Sequence, residues 1–271
     1  MTAADSAHAA TRLAGSPLAR RNPTVKFVLL FVVSLALLFV FDPFTSAALY
    51  GIALVGVVAG SGIRPRVLLL GHLPFVGVAV GLVLVNALSR PGAEVARLGV
   101  LRVTEEGLEV GAALGLRTLV IGVLSLGFIV STDGVRLMTS LHQHARLGLR
   151  VTYAVLAGYR TLEELPREWQ LIRHAHAVRA GLDSRGRPRS GVAAFGRAGF
   201  ALLVVSLRRA ERLAIALESR GLGLMPRTTW RPVALTTTDG AFAAGVLAVL
   251  ATVLAASAAL GVLRGAEVLA G

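Results

Sequence analysis

Cysteine is absent from the 271-residue sequence, and lysine occurs only once, as Lys26. Without cysteine the chain cannot form disulfides, thiolate metal sites or a cysteine nucleophile. No glycine-rich loop precedes Lys26, so the chain lacks the Walker A motif with which P-loop ATPases hold nucleotide phosphates. Paired catalytic carboxylates, a nucleophile elbow and an H-E-x-x-H pattern are also missing. We therefore predict a protein that is not an enzyme and binds no cofactor itself.

Acidic residues are scarce beside basic ones, 15 against 28, and the formal net charge is +13. Hydrophobic residues make up 55% of the chain, and the mean hydropathy is +0.71. Both values exceed those of ordinary soluble domains. The basic residues alternate with long uncharged runs, an arrangement that reflects membrane orientation better than nucleic-acid binding. The composition thus predicts a lipid bilayer as partner and no nucleic acid.

Five nearly uncharged runs are candidates for transmembrane helices, each close to the roughly 20 residues that cross a bilayer. They are residues 27–41, 44–63, 67–88, 108–131 and 241–263. The first run has the length of a signal-peptide core, but no A-x-A-like cleavage site follows it and further spans do. The predicted fold is an all-α polytopic membrane protein with about five or more transmembrane helices.

Arginines predict the orientation of these spans in the cytoplasmic membrane. The N-terminal segment 1–26, the short connection at 64–66 and the segment 132–235 are basic, so the positive-inside rule puts them in the cytoplasm. The loops at 42–43 and 89–106 then lie outside, and residues 27–131 hold four spans. The last span lies in residues 236–271. The side of the C-terminus depends on whether the apolar stretch 191–207 enters the membrane.

The basic segment 132–235 contains two amphipathic helical patterns, at about 162–181 and 200–221. The first is expected to start near Pro166, because proline favours the first turn of a helix. Both patterns stop where an arginine is followed closely by glycine, in VRAG at 178–181 and SRG at 219–221. Taken alone, a glycine C-cap and a last-turn arginine that complements the helix dipole explain either ending.

The stretch AIALESRGLG, residues 214–223, resembles the second Ala-Arg-Gly motif of the transmembrane (T) components of energy-coupling factor (ECF) transporters. That family includes the cobalt-importer permeases. Further stretches resemble the same family: SPLARRNPTVKF (16–27), the arginine-bearing span at 102–133, YRTLEELPREWQLIRHAHAVRAGLD (159–183), VSLRRAERLAIALESRG (205–221) and MPRTTW (225–230). The resemblance covers most of residues 16–231.

This resemblance implies an ATP-driven importer of a vitamin or metal ion. Two coupling helices would cross on the cytoplasmic side and dock on two ABC-type ATPase subunits, which bind the ATP. The membrane part would hold and topple a substrate-binding S component. The residues implied in ATPase coupling are Val178, Arg179, Ala180, Ser219, Arg220 and Gly221. Ser219 stands where alanine is usual, and the first motif has its glycine one residue late, at Gly181, so Arg220 matches better than Arg179.

Arg117 interrupts the fourth span, where a central arginine costs about 2.5 to 3.5 kcal/mol on insertion scales. It should therefore face protein, water or a polar partner. Its position in the family implies a structural or gating role, and a packing arginine bonded to carbonyls is the simpler interpretation. Three glycine pairs spaced four residues apart permit close helix approach and are candidates for holding the S component: Gly56 and Gly60, Gly77 and Gly81, Gly111 and Gly115.

Two other functional classes stay open at this point. A self-sufficient transporter or channel would line its substrate path with Arg117 and would transport alone. A membrane enzyme acting on phospholipid or isoprenoid phosphate would use the cytoplasmic arginines and histidines, but no acidic metal-binding cluster accompanies them. The histidine pairs at 142 and 144 and at 174 and 176 are spaced two apart, which points them to opposite sides of a helix. We therefore predict no metal site.

Overall fold

The computed structural model describes residues 15–98, 101–179, 191–224 and 232–263. It divides into two compact units, residues 1–133 with 234–271, and residues 134–233. In chain order the elements are α1 (Pro23–Leu37), α2 (Pro43–Ser61), α3 (Pro65–Ser89), β1 (Glu94–Leu98), β2 (Leu101–Thr104), α4 (Glu105–Ser131), α5 (Gly134–His144), α6 (Leu149–Arg179), α7 (Val192–Ser219) and α8 (Thr237–Ala259).

The first unit holds the apolar helices. By length and composition α2, α3, α4 and α8 can each cross a membrane, whereas α1, with 15 residues, is apolar but shorter. The prediction of an all-α polytopic membrane protein is confirmed. The helices α1, α2, α4 and α8 meet in one core, whose buried members are Val33, Leu37, Leu49, Val120 and Leu250.

Proline and a capping side chain start the first two helices. Pro23 and Pro43 stand in the first turn, where their fixed φ suits the helix and a missing N–H costs nothing. The side chain of Asn22 accepts a hydrogen bond from the Thr24 N–H at 2.9 Å, and that of Asp42 accepts one from the Thr45 N–H at 2.6 Å. These caps fix where each helix enters the apolar layer.

Close packing of α3 against α4 depends on two glycines. A Cβ added to Gly111 would lie 2.8 Å from the Cα of Val83, and one added to Gly115 would lie 3.2 Å from the carbonyl oxygen of Ala79. No larger residue fits without moving the α3 backbone. The Gly111 and Gly115 pair therefore serves packing inside this unit. By contrast, Cβ atoms added at Gly77 and Gly81 would meet nothing within 4 Å.

An antiparallel hairpin of β1 and β2 connects α3 to α4, within the loop predicted to lie outside the membrane. An ion pair of 3.2 Å between Glu94 and the guanidinium of Arg102 joins its strands. The side chain of Thr104 caps α4 by accepting from the Gly107 N–H. The hairpin was not predicted, because its strands are only five and four residues long.

The second unit consists of α5, α6 and α7. The predicted start of the first amphipathic helix near Pro166 is wrong: α6 begins at Leu149 and runs through Pro166. Proline inside a helix removes one backbone hydrogen bond, but helix-compatible residues on both sides carry the helix past it. The helix α7 begins at Val192, before the predicted start near 200, and contains most of the apolar stretch 191–207.

Candidate coupling site

The helices α6 and α7 cross each other through one polar and one aromatic contact. The guanidinium of Arg209 on α7 donates to Glu164 at 2.7 Å and to Glu168 at 3.2 Å on α6. The rings of Trp169 and Phe195 meet edge-to-face at a centroid distance of 5.1 Å. The crossing therefore lies near 164–169 on α6 and between 195 and 209 on α7.

Beyond the crossing, each helix continues to a predicted coupling arginine. At 1.5 Å per residue, Arg179 lies about 18 Å along α6 from residue 167, and Arg220 about 27 Å along α7 from residue 202. Along α6, the residues that contact Arg209 precede Trp169, which contacts Phe195. Along α7 the order is reversed, because Phe195 precedes Arg209. The two helices therefore run in opposite directions at the crossing. The two C-terminal ends thus leave the crossing in different directions.

A Schellman motif ends α7. The Leu222 N–H donates to the Leu217 carbonyl at 3.0 Å, the Gly221 N–H donates to the Glu218 carbonyl at 2.9 Å, and Gly221 has a left-handed φ of +76°. This pattern needs glycine at position 221, because other residues rarely adopt that φ. The capping interpretation of Gly221 is therefore correct.

The side chain of Arg220 is accessible at the surface of the second unit. It stands at the C-cap of α7, and its side chain is exposed. Among the described residues, no carboxylate forms an ion pair with Arg220 or with Arg179, the exposed last residue of α6. Capping by Gly221 thus explains where the helix stops, and it does not involve the guanidinium of Arg220.

The first motif is described only in part. Val178 is 87% exposed in the last turn of α6, next to Arg179. Ala180 and Gly181 lie outside the described residues. Ser219 ends α7, and its hydroxyl donates to the Ala216 carbonyl at 3.0 Å. The structure therefore presents Val178, Arg179, Ser219 and Arg220 at helix ends, in two separate groups.

Arg117 has its partners inside the first unit. Its Nη2 donates to the Val40 carbonyl at 2.6 Å and, more weakly, to the Leu38 carbonyl at 3.5 Å, while its guanidinium carbon lies 4.9 Å from the centre of the Phe41 ring. These carbonyls follow the end of α1, where a helix leaves backbone acceptors unpaired. Arg117 is thus bonded to backbone carbonyls within the first unit, and its structural or gating role stays a prediction.

Comparison with known proteins gives a match along most of the chain. Residues 14–230 match the model of the cobalt transport protein family, CbiQ. The chain belongs to the CbiQ family. Three curated relatives are similar over 81–89% of this chain: energy-coupling factor transporter transmembrane proteins of Heliobacterium modesticaldum (29% identical, 90% of the relative covered) and Thermanaerovibrio acidaminovorans (30%, 84% covered), and a putative ABC transporter ATP-binding protein of Bifidobacterium longum (27%, 32% covered).

This CbiQ-family chain is therefore the transmembrane component of an energy-coupling factor transporter, as its motifs indicated. Two of these relatives are named as transporter transmembrane proteins, which suggests a non-catalytic role. Four apolar helices in a transporter family make it a multi-pass membrane protein.

Sequence reasoning missed three polar residues that anchor helices of the first unit. The buried ammonium of Lys26 donates to the carbonyl and hydroxyl oxygens of Ser131 at 2.8 and 3.0 Å, which places a cation at the C-terminal end of α4. The Asn22 N–H donates to the Asp239 carboxylate at 2.9 Å, and the Asn22 side chain donates to the Ala234 carbonyl at 3.3 Å. The one sequence feature that could have pointed to this anchor is that Lys26 is the only lysine in the chain.

Asp239 completes this anchor at the start of α8. Its second carboxylate oxygen accepts from the N–H and hydroxyl of Thr236 at 3.0 and 2.7 Å, which forms a capping box. One carboxylate therefore fixes the first turn of α8 and joins it to the first turn of α1. We regard Asn22, Lys26 and Asp239 as positioning residues for the helices at this end of the membrane unit.

Proposed function

We propose that this T component couples two ABC-type ATPase subunits to a substrate-binding S component for uptake of a vitamin or metal ion. The coupling arginines are Arg220 and, with a poorer motif match, Arg179. ATP hydrolysis in the partners moves α6 and α7, and the membrane unit passes that motion to the S component. ATP is bound by the partners.

The observation that carries the proposal is the exposed guanidinium of Arg220 at the C-terminal end of α7. A cation with no ion-pair partner among the described residues is available to an acidic group on another molecule. A guanidinium fork binds a carboxylate through two parallel hydrogen bonds, and it stays ionised at any physiological pH. Since α6 and α7 end in different directions, two separate partner subunits fit the arrangement better than one.

Similarity to an ATP-binding protein supports the same partners. A chain from Bifidobacterium longum named a putative ABC transporter ATP-binding protein is similar to 89% of this chain over 32% of its own length. The segment that resembles this chain thus belongs to a protein that is named for ATP binding. The similarity therefore favours ABC-type ATPases as the partners of this chain.

Copurification tests the proposal directly. The full chain, tagged at its N-terminus and extracted in mild detergent, should bring down two ATPase subunits and a small hydrophobic S component. Purified alone in liposomes, it should show neither ATP hydrolysis nor substrate flux. Flux from the chain by itself would refute the coupling role in favour of a self-sufficient transporter.

The proposed orientation is testable because the chain has no cysteine of its own. Single cysteines introduced at exposed positions of the second unit, such as Arg208, should be labelled by a membrane-impermeant maleimide only after the cells are opened. A cysteine at Val95 in the hairpin should be labelled in intact cells. The reverse labelling pattern would overturn the topology.

A further inference from the structure

We propose that a cavity in the membrane unit binds the acyl chain of an anionic phospholipid, whose headgroup lies beside Arg21. The cavity has a volume of about 390 Å³, within the range typical of ligand sites. Its walls come from α1, α2, α4 and α8, with Leu18 at one end. Lipid binding in this cavity would give the T component a ligand of its own, and it does not depend on the ATPases or the S component.

The shape of the cavity suits a chain that enters from the bilayer. On α2 it extends from Leu49 to Val57 and on α8 from Phe242 to Leu250, which corresponds to about 12 Å along each helix. Two of its wall residues, Ile52 on α2 and Val249 on α8, are 44% and 42% exposed. The cavity therefore opens to the side between these helices, on the surface that lipid covers.

The chemistry of the walls selects a hydrocarbon. Apart from Lys26, the residues that line the cavity are apolar or glycine. Lys26 is 6% exposed, and its ammonium group is hydrogen-bonded to Ser131. Water needs two to four polar partners to occupy a buried site, and these walls offer too few. An empty cavity would forfeit dispersion contacts along its whole lining. A lipid chain, which is always present at this surface, restores them.

Charge at one end of the cavity selects the headgroup. The guanidinium carbon of Arg21 lies 5.9 Å from the centre of the Phe242 ring, which lines the cavity. Asp239 lies close enough to interact with Arg21 and offsets part of the positive charge at this end, to which Lys26 also contributes. Exposed Arg20 precedes Arg21, and Leu18 is bonded through its N–H to the Gly60 carbonyl at this same end. A basic rim above an apolar slot matches an anionic phospholipid.

Two glycines allow the cavity to be filled without a clash. Cβ atoms added to Gly56 or Gly245 would meet nothing within 4 Å, and both residues line the cavity. The double variant Gly56→Leu/Gly245→Leu should therefore occupy the slot with protein side chains. Gly51 and Gly77 have equally open surroundings but do not line the cavity, so Gly51→Leu/Gly77→Leu is a control matched in size and hydrophobicity.

Native mass spectrometry of the full chain, relipidated with equal amounts of phosphatidylglycerol and phosphatidylcholine of the same acyl composition, tests the site. The wild type and the Gly51→Leu/Gly77→Leu control should retain one phosphatidylglycerol, whereas the cavity-filled variant should retain at least tenfold less. Arg21→Gln should keep a bound lipid but lose about fivefold in preference for phosphatidylglycerol, which corresponds to one cation near a headgroup.

Equal lipid retention by the cavity-filled and control variants would overturn the acyl site, as would a bound polypeptide in place of lipid. An unchanged lipid preference in Arg21→Gln would overturn the headgroup assignment. A phosphatidylglycerol with a photoreactive acyl chain gives a second measurement on the wild type alone. Crosslinks should concentrate on cavity residues such as Ile52 and Val249, and an even spread over all lipid-facing helices would refute the proposal.

Discussion

Arg117 in the membrane unit and Arg220 in the second unit carry the same side chain but have opposite surroundings. The guanidinium of Arg117 donates to backbone carbonyls after α1, whereas Arg220 stands exposed at the end of α7 with no ion-pair partner among the described residues. In an apolar layer an arginine needs a polar partner close by, and Arg117 has one within the chain. In water an arginine is hydrated, so it can remain exposed until it binds a partner on another protein. The location of its partner therefore distinguishes a structural arginine from a docking one.

The largest expected effect is the loss of ATPase binding on truncating Arg220. If Arg220 docks into an acidic pocket, Arg220→Ala leaves a buried carboxylate unpaired and should cost about 2 to 5 kcal/mol of association, roughly 30-fold to several-thousand-fold in affinity. Arg179→Ala should have a similar or weaker effect, and the double variant the largest. Affinity of purified ATPase subunits for the reconstituted chain measures this directly.

Two controls sharpen that test. Arg220→Lys should restore binding only in part, because an ammonium cannot reproduce the two parallel bonds of a guanidinium. If docking plays no part, removing Arg220 would cost only the helix-dipole interaction of about 0.3 to 1 kcal/mol. Wild-type ATPase binding by the Arg179→Ala/Arg220→Ala variant at matched expression would rule out coupling through these arginines.

Arg117→Met should lower stability and leave ATPase binding unchanged, which is the opposite of the effect expected for Arg220→Ala. It leaves the Val40 carbonyl without its donor in an apolar region, which should lower the free energy of unfolding by about 1 to 3 kcal/mol. ATPase affinity of the folded fraction should stay unchanged. Thermal unfolding in detergent and ATPase binding, measured on the same preparation, separate the two effects. Unchanged stability combined with lost uptake would instead favour Arg117 lining a substrate path.

Asn22→Ala should have a smaller effect, confined to the membrane unit. It removes the cap of α1 and the bond to the Ala234 carbonyl, and we expect about 1 to 2 kcal/mol less stability. Asn22→Ser is the matched control, because serine can still cap α1 but is too short to donate to Ala234. Thermal unfolding should rank the wild type above Asn22→Ser, and Asn22→Ser above Asn22→Ala. Equal stability of all three chains would show that this link contributes nothing.

The smallest effect should come from Arg209→Gln at the crossing of α6 and α7. Its ion pairs with Glu164 and Glu168 are partly exposed, so solvent screening limits their contribution to about 0.2 to 1 kcal/mol. The stability difference from the wild type should shrink further at high salt. Arg208→Gln, which removes an exposed neighbouring charge, is the control. A loss well above 1 kcal/mol would mean that the crossing depends on this arginine.

Local signals predicted most of the fold. Runs of apolar residues located α2, α3, α4 and α8 because hydropathy is a property of neighbouring residues. The end of α7 at Gly221 was predicted because a helix ending and its cap occupy a few adjacent positions. The extent of α6 was not predicted, since Pro166 is a strong local stop signal that the surrounding helix overrides.

Contacts between distant residues could not be read from a single sequence. Lys26 and Ser131 are 105 positions apart, and Asn22 and Asp239 are 217 apart. The sequence predicted that Arg117 would bind backbone carbonyls, but it could not predict the carbonyl of Val40. Every residue has a backbone carbonyl, so the sequence does not show which one is the acceptor. The same limit applies to Arg209, whose partners on α6 became visible only when the helices were placed together.

Because α1 is short, the fit between this transporter and the membrane depends on the thickness of the bilayer. Fifteen helical residues rise about 22 Å, less than the roughly 30 Å of a typical hydrocarbon core. Residues 38–42 connect α1 to α2, which begins at Pro43. For a helix that is too short, such hydrophobic mismatch is relieved by local thinning of the bilayer, at a cost of fractions of a kcal/mol per ångström. Local thinning of the membrane beside α1 is the expected result, and lipids with shorter chains would reduce the thinning that is needed.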